Sequence, residues 1–300
     1  MATDALDRTL DGKATAGVRR RFRPLRFYLV RVFQYALMVA LSIIFLIPLF
    51  WMASTSLKQQ GQVFAFPPVW IPNPIMWSNY AEALERAPLL IWLSNTATIT
   101  VVSIVGHVLT SSMVAFGFAR LRFPGRSALF ILLLSTLMLP QVVTLIPRFI
   151  LFRSLGWLDT FLPMIVPTFF GGSAFDIFLV RQFYLTIPKD FDEAARIDGA
   201  SNWTIWLRIV APLSTPVLMA IAIFSFVFHW NDFMNPLIYL FSENKKTLSL
   251  GLRAFISPTA AEYHLNMAAG MFLVIPMLVI FFIGQRYFIR GVVMTGIQGR

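Results

Sequence analysis

Cysteine is absent from all 300 residues, which removes disulfides, thiolate metal sites and cysteine nucleophiles together. Charge is scarce as well. Only 13% of the chain is Asp, Glu, Lys or Arg against 57% hydrophobic, too little to coat a soluble domain of this length. The three histidines, His107, His229 and His264, lie far apart along the chain and show no metal-ligand spacing. There is no G-x-x-x-x-G-K-[ST] phosphate loop, so the chain does not bind ATP in that way; H-E-x-x-H and G-x-S-x-G are missing too. No internal repeat, low-complexity tract or soluble domain of useful size is visible.

What is present is apolar sequence in long runs. Runs of about 20 apolar residues, enough to cross a hydrocarbon core, recur and predict an all-α integral membrane protein. The short alternating segments of a transmembrane β-barrel are not seen. Six spans are expected, near 32–53, 90–118, 127–147, 159–181, 213–237 and 267–289. They divide the chain into a basic arm (1–31), a transmembrane domain (32–289) and a short tail (290–300).

The net charge of +11 then sorts by side of the membrane rather than into a nucleic-acid patch. The arm, the Arg120–Arg126 loop, the 181–212 segment and the C-terminal end from Arg286 share one side and carry 18 of the 25 Lys and Arg. The opposite loops hold seven: Lys58, Arg86, Arg148, Arg153, Lys245, Lys246 and Arg253. The positive-inside rule therefore places both termini in the cytoplasm. The first apolar run begins near Val32, after a long basic arm, and is too long for a secretory h-region; it reads as a retained span. Arg19 to Arg31 mixes cations with aromatics, which suits an anionic leaflet or a plain topology anchor.

Within the expected spans, Ser103, His107, Ser111, Ala115 and Ala119 recur every four residues, a small and polar face suited to close helix packing. Pro140 should kink the third span. Asp176, placed toward the cytoplasmic end of the fourth span, either snorkels, pairs with Arg181 or lines a solute path. Trp230, Asn231 and Asp232 cluster toward the outer end of the fifth, where an aromatic beside polar groups suits sugar contact but equally an interface or a gate. The Pro- and Trp-rich FPPVWIPNPIMWSNY stretch reads as an ordered cap at the outer interface.

One stretch is built differently. DEAARIDGASNWTIWLRIVAPLSTP (Asp192 to Pro216) lies on the cytoplasmic side, and four of the chain's 14 acids fall between Asp190 and Asp198. Asp190 is expected to N-cap a helix starting at Phe191, with Glu193 closing a capping box and Gly199 stopping it. Phe191, Ala194, Ala195 and Asp198 share a face. Trp203, Trp206, Leu207 and Val210 mark a second short helix ending before Pro212. From the residues alone, this is either a well-capped loop helix on its own bundle or a docking element for a partner. The Asn202-Trp203-Thr204 sequon faces the cytoplasm and reads as coincidence.

The spacing EAA-x-x-x-G then I-x-x-P (Glu193, Ala194, Ala195, Gly199, Ile209, Pro212) resembles the EAA loop of membrane subunits of ABC importers. With WLSNT (Trp92 to Thr96), ARLRFPGR (Ala119 to Arg126), HWNDF (His229 to Phe233) and QRYFIRG (Gln285 to Gly291), the chain is similar to carbohydrate-uptake permeases of the maltose-transporter second-subunit type. The ordered matches cover most of the chain from about residue 50. Ala211 departs from a frequent Leu.

That resemblance implies a type I importer fold with a cytoplasmic coupling helix, in the cytoplasmic membrane of a bacterium. It implies a homologous second permease, two ATP-binding subunits that hold ATP and Mg, and an external solute-binding protein. Glu193 would make the key polar contact to the ATPase, within a coupling set of Glu193, Ala194, Ala195, Asp198, Gly199, Ile209 and Pro212 in the loop 188–212. The 238–266 loop, with Lys245, Lys246 and Tyr263, would reach toward the binding protein, and Gln298 to Arg300 toward the ATPases. The carried solute would be a sugar or a glycerol-phosphate-type molecule. A secondary transporter should show inverted repeats and a coupling-ion relay, and a membrane enzyme a clustered acid, metal or nucleophile; neither pattern is found.

Overall fold

A computed structural model describes residues 25–256 and 261–296. The first 24 residues of the basic arm and the expected ATPase contact at Gln298 to Arg300 lie outside the described residues. The chain forms two compact units, residues 1–51 and 52–300. The first is described as the greater part of one apolar helix, α1 (Leu25–Thr55).

The second unit is built from helices α2 (Ser78–Arg86), α3 (Leu89–Arg120), α4 (Arg126–Ser135), α5 (Gln141–Ser154), α6 (Leu162–Ile165), α7 (Ala174–Thr186), α8 (Asp190–Ile197), α9 (Asn202–Ile205), α10 (Ala211–Leu213), α11 (Thr215–Trp230), α12 (Met234–Tyr239), α13 (Leu248–Gly251) and α14 (Tyr263–Gly296). The only bridge among the described residues joins Ile256 to Ala261. The fold is all-α.

Among the described residues, four segments are long and apolar enough to cross a bilayer: Leu29–Thr55, Leu89–Arg120, Leu162–Thr186 and Tyr263–Gln285. The count reaches six when two bent pairs are each taken as one span. Pro140 does more than kink. It separates the Arg126–Met138 stretch from α5 at a bend of 99°, because Leu139, preceding the proline, is held extended and the helix stops. The fifth span likewise begins with an 80° bend between Asn202–Leu213 and α11, and ends at Trp230 rather than near residue 237.

α3 is the central element, packed chiefly on α7 and α11. It contains no proline, and its small face is buried as its four-residue spacing predicts: Ser103, Ser111, Ala115 and Ala119 are all buried. That face lets backbone approach. Ser103 Oγ donates to the Met164 carbonyl at 3.3 Å and Thr110 Oγ1 to the Thr168 carbonyl at 3.0 Å. Gly106 is required there, since a Cβ would meet Thr168 Oγ1 at 2.5 Å.

Below this, Ala115, Phe116 and Ala119 join Ile177, Val180, Tyr184, Ala195, Ile205, Trp206 and Val210 in the main apolar cluster. At the other end of α3, Trp92 packs with Leu248, Phe255, Leu265 and Ala268. Its indole donates to the Glu243 carbonyl at 2.9 Å, while Asn95 Nδ2 reaches the carbonyls of Asn244 and Lys246 at 2.8 and 2.9 Å. The FPPVWIPNPIMWSNY stretch is tied down through Gln62, which donates to the Asn73 carbonyl, and through Asn79, which donates to the carbonyls of Ser56 and Lys58.

Candidate functional site

Two regions gather the residues singled out by the sequence. The first is a cavity of about 660 Å³ bounded by α3, α5, α7 and α11, within the roughly 300–1,000 Å³ usual for small-molecule sites. Asp176 and Asp232 both line it. Asp176 sits in the first turn of α7, just past the break at Gly171 and Gly172, and is buried. Gly172 adopts φ +57°, and a Cβ there would meet Ser111 Oγ at 2.2 Å, so the turn needs glycine.

The expected pairing of Asp176 with Arg181 does not form. Five residues on a helix rotate the two side chains about 140° apart. Asp176 Oδ2 lies 3.0 Å from His107 Nε2 on α3 instead, while the Arg181 guanidinium sits 4.2 Å from the Phe130 ring centroid and its Nε donates to the Phe118 carbonyl.

Asp232 caps the turn into α12, accepting from Asn235 N at 3.1 Å and Asn235 Nδ2 at 2.7 Å. The other two path candidates lie outside the lining. Trp230 gives its indole N–H to the Leu273 carbonyl in α14 at 2.9 Å, and Asn231 Nδ2 bonds to the Val227 carbonyl one turn back.

Sequence reasoning missed a different pair. His107 and His229, far apart along the chain, bring their ring centroids to 5.9 Å at an interplanar angle of 71°. His107 shares a stripe with Ser103 and Ser111, and His229 lies four residues after the buried Ser225. Those two polar faces were the available signal. Among the described residues, no group of three His, Asp or Glu side chains could hold a metal ion.

The second region is the loop from α8 to α10. α8 starts one residue earlier than expected, at Asp190, because Lys189 is already in the α region, and no side-chain cap forms. The capping box at Asp190 and Glu193 is therefore absent, and Glu193 is exposed. Three acids in the first turn still favour the helix dipole.

The helix stop is as expected. Gly199 takes φ +81°, with Gly199 N bonded to the Arg196 carbonyl at 3.0 Å and Ala200 N to the Ala195 carbonyl at 2.8 Å, a Schellman motif. The buried face of α8 is Asp192 with Ala195; Phe191, Ala194 and Asp198 stay exposed. Asp192 Oδ2 lies 3.5 Å from Arg120 Nε at the end of α3, both side chains almost fully buried, and Arg120 Nη2 donates to the Ile187 carbonyl at 2.9 Å.

The second short helix does not end before Pro212. After α9 the chain widens into a π-helical turn, Trp206–Val210, in which Ala211 N bonds to the Trp206 carbonyl, and α10 carries Pro212 within it. Proline cannot donate to the carbonyl four residues back, and the wider turn absorbs that missing bond. The wider turn also splits the expected apolar stripe. Trp206 and Val210 face inward, while Trp203 and Leu207 are 64% and 61% exposed. Trp206 Nε1 donates to Ser112 Oγ at 3.0 Å, which in turn lies 2.6 Å from Tyr184 Oη.

The model of the "Binding-protein-dependent transport system inner membrane component" family matches residues 107–294, more than half the chain and the span that holds both regions. The chain belongs to that family. This permease is 33% identical over 247 residues to the arabinooligosaccharides transport system permease protein AraQ of Halalkalibacterium halodurans, covering 82% of this chain and 86% of that one. It is 31% identical to the sn-glycerol-3-phosphate transport system permease protein UgpE of Yersinia enterocolitica, covering 87% and 95%.

Its fold matches a chain from the crystal structure of a bacterial ABC transporter involved in the import of the acidic polysaccharide alginate. The TM-score is 0.78 at 23% identity, over 89% of the permease and 99% of that chain. The permease is thus an all-helical, multi-pass membrane component of a transport system, with four to six candidate spans among the described residues.

Proposed function

We propose that this permease is a transmembrane subunit of an ATP-driven, binding-protein-dependent importer for a di- or oligosaccharide. In this reading each bent helix pair is one span, giving six. Both termini lie in the cytoplasm, and the permease forms half of the translocation path beside a homologous partner. Two ATPase subunits bind ATP and Mg, and α8 fits a cleft on the ATPase through Glu193, Ala194, Ala195, Asp198 and Gly199, with Ile209 and Pro212 shaping the return. Asp176 and Asp232 line the path, with Trp230 and Asn231 framing its end.

The observation that carries the coupling role is what α8 leaves uncovered. Glu193 borders an open cleft of about 680 Å³ with Arg122, Phe123 and Arg196, and beside it Ile197 is 87% exposed on a helix of eight residues. Such a helix gains stability from a partner, and an apolar anchor beside a charge is how protein interfaces concentrate their binding energy. The sugar assignment is supported by the arabinooligosaccharide relative; the Yersinia relative favours a glycerol-phosphate solute as the second reading.

Glu193→Ala and Glu193→Gln test the coupling. Because Glu193 makes no cap, both variants should insert and assemble normally. A charge-assisted hydrogen bond is worth about 1.5–3 kcal/mol, so coupled uptake should fall about tenfold or more in Glu193→Ala, and less in Glu193→Gln. Normal uptake by both would remove Glu193 from the coupling role.

A further inference from the structure

Three residues that line the cavity carry buried polar atoms that the permease leaves without partners. Ser225 Oγ and His229 Nε2 on α11 and His107 Nδ1 on α3 are all buried and make no hydrogen bond, and all three residues line the same cavity. Buried polar groups are ordinarily satisfied because leaving one bare is costly. Three bare atoms around one space therefore indicate what that space takes.

Their chemistry is complementary. The 3.0 Å approach of Nε2 to the Asp176 carboxylate calls for a proton on Nε2, and in the neutral imidazole that leaves Nδ1 as an acceptor. Ser225 both donates and accepts. Phe224 and Phe228, flanking Ser225 and His229 along α11, add apolar faces to the lining, while Asn235 and Arg148 add further donors. Donors and acceptors beside aromatic rings are the means of holding a ring that carries hydroxyls on its edge and C–H groups on its faces.

We infer that this chain itself binds one sugar unit of the transported solute, through His107, Ser225 and His229, inside the cavity between α3 and α11. The inference rests on the import reading above. It adds three residues that touch the solute, with Asp176 as the positioning residue that sets the His107 tautomer.

The absence of native cysteine gives a direct test. Ser225→Cys, made in the complete importer, should react with a small methanethiosulfonate reagent, because the cavity admits water. Arabinotriose supplied with the binding protein should slow that reaction at least fivefold. Ser103→Cys, at a buried hydroxyl already bonded to Met164, is the unreactive control. Ser225→Cys that is inert, or that reacts at the same rate with and without solute, would overturn the site.

Transport gives a second reading. His229→Asn should lower the maximal uptake of arabinotriose about tenfold while ATP hydrolysis stimulated by the loaded binding protein persists. A proportional fall in both would mark His229 as packing and overturn its role. sn-Glycerol 3-phosphate is the parallel probe. Protection of Ser225→Cys by it instead of arabinotriose would overturn the sugar. Failure of the unsubstituted importer to take up arabinotriose would overturn the sugar reading itself, an outcome separate from unchanged reactivity in a working importer.

Discussion

Two polar clusters lie a turn and a half apart on α3, and they are finished differently. Around Ser112 the hydroxyl is bonded on both sides, by Trp206 and by Tyr184, and the surrounding residues are buried apolar side chains. Around His107, three residues that line a cavity each carry a buried polar atom with no partner. Both clusters are enclosed, so burial does not separate them. Satisfaction does: a completed buried network specifies structure, and an incomplete one beside open space keeps capacity for a ligand.

The largest effect is expected at the buried charge pair between α3 and α8, Arg120 with Asp192. Asp192→Leu leaves Arg120 buried without its counter-charge and should cost about 3–5 kcal/mol, read as a lowered unfolding midpoint of the purified complex. Adding Arg120→Met should restore most of it, since a buried pair exchanged for apolar side chains is near neutral. A double variant as unstable as the single one would show that the pair holds α8 to α3 in a way packing cannot replace.

The comparison itself is sharpened by two single-atom changes. Trp206→Phe removes the donor to Ser112 and should cost about 0.5–1.5 kcal/mol, whereas Ser225→Ala removes a buried hydroxyl that bonds to nothing and should stabilise the empty complex, by up to about 1–3 kcal/mol. Equal losses in the two variants would erase the distinction between the clusters.

The smallest effect is local. Asp159 accepts from the backbone N–H groups of Phe241 and Ser242 at 2.9 and 3.0 Å and from the Ser242 hydroxyl, and it pairs with Lys245. Chiefly through the Ser242 bonds, its carboxyl is held well below the usual carboxylate range. The charged form favours the fold, so this clamp is at full strength above the unfolded value of about 3.9. It is lost only as pH falls through the lower folded value. Asp159→Asn should therefore speed amide exchange of residues 241–246 at neutral pH without moving the global midpoint.

How much of this was written in the sequence differs by kind of contact. The small face of α3 was legible because it depends only on helical period, and the Gly199 stop because a left-handed residue is needed there whatever surrounds it. The missing cap at Asp190 was not, since Lys189 already continues the helical turn. Pro140 announced a disturbance, but a kink and a 99° break look alike in sequence. Asp176 was recognised as costly, yet its partner was sought five residues away on its own helix. The meeting of His107 with His229 depends on how α3 and α11 pack, which no local pattern encodes, although each histidine lay on a visible polar stripe.

α3 has 32 residues, a length of about 48 Å at roughly 1.5 Å per residue, against a hydrocarbon layer of about 30 Å. Its polar anchors, Asn95 near one end and Arg120 at the other, are about 38 Å apart along the axis at roughly 1.5 Å per residue, so such a layer fits between them with about 8 Å in reserve. A thicker bilayer would cover spare turns before drawing either anchor into hydrocarbon. Acyl-chain length should therefore be a weak lever on this permease, and its host can remodel its lipids without loosening the helix that joins the two polar clusters.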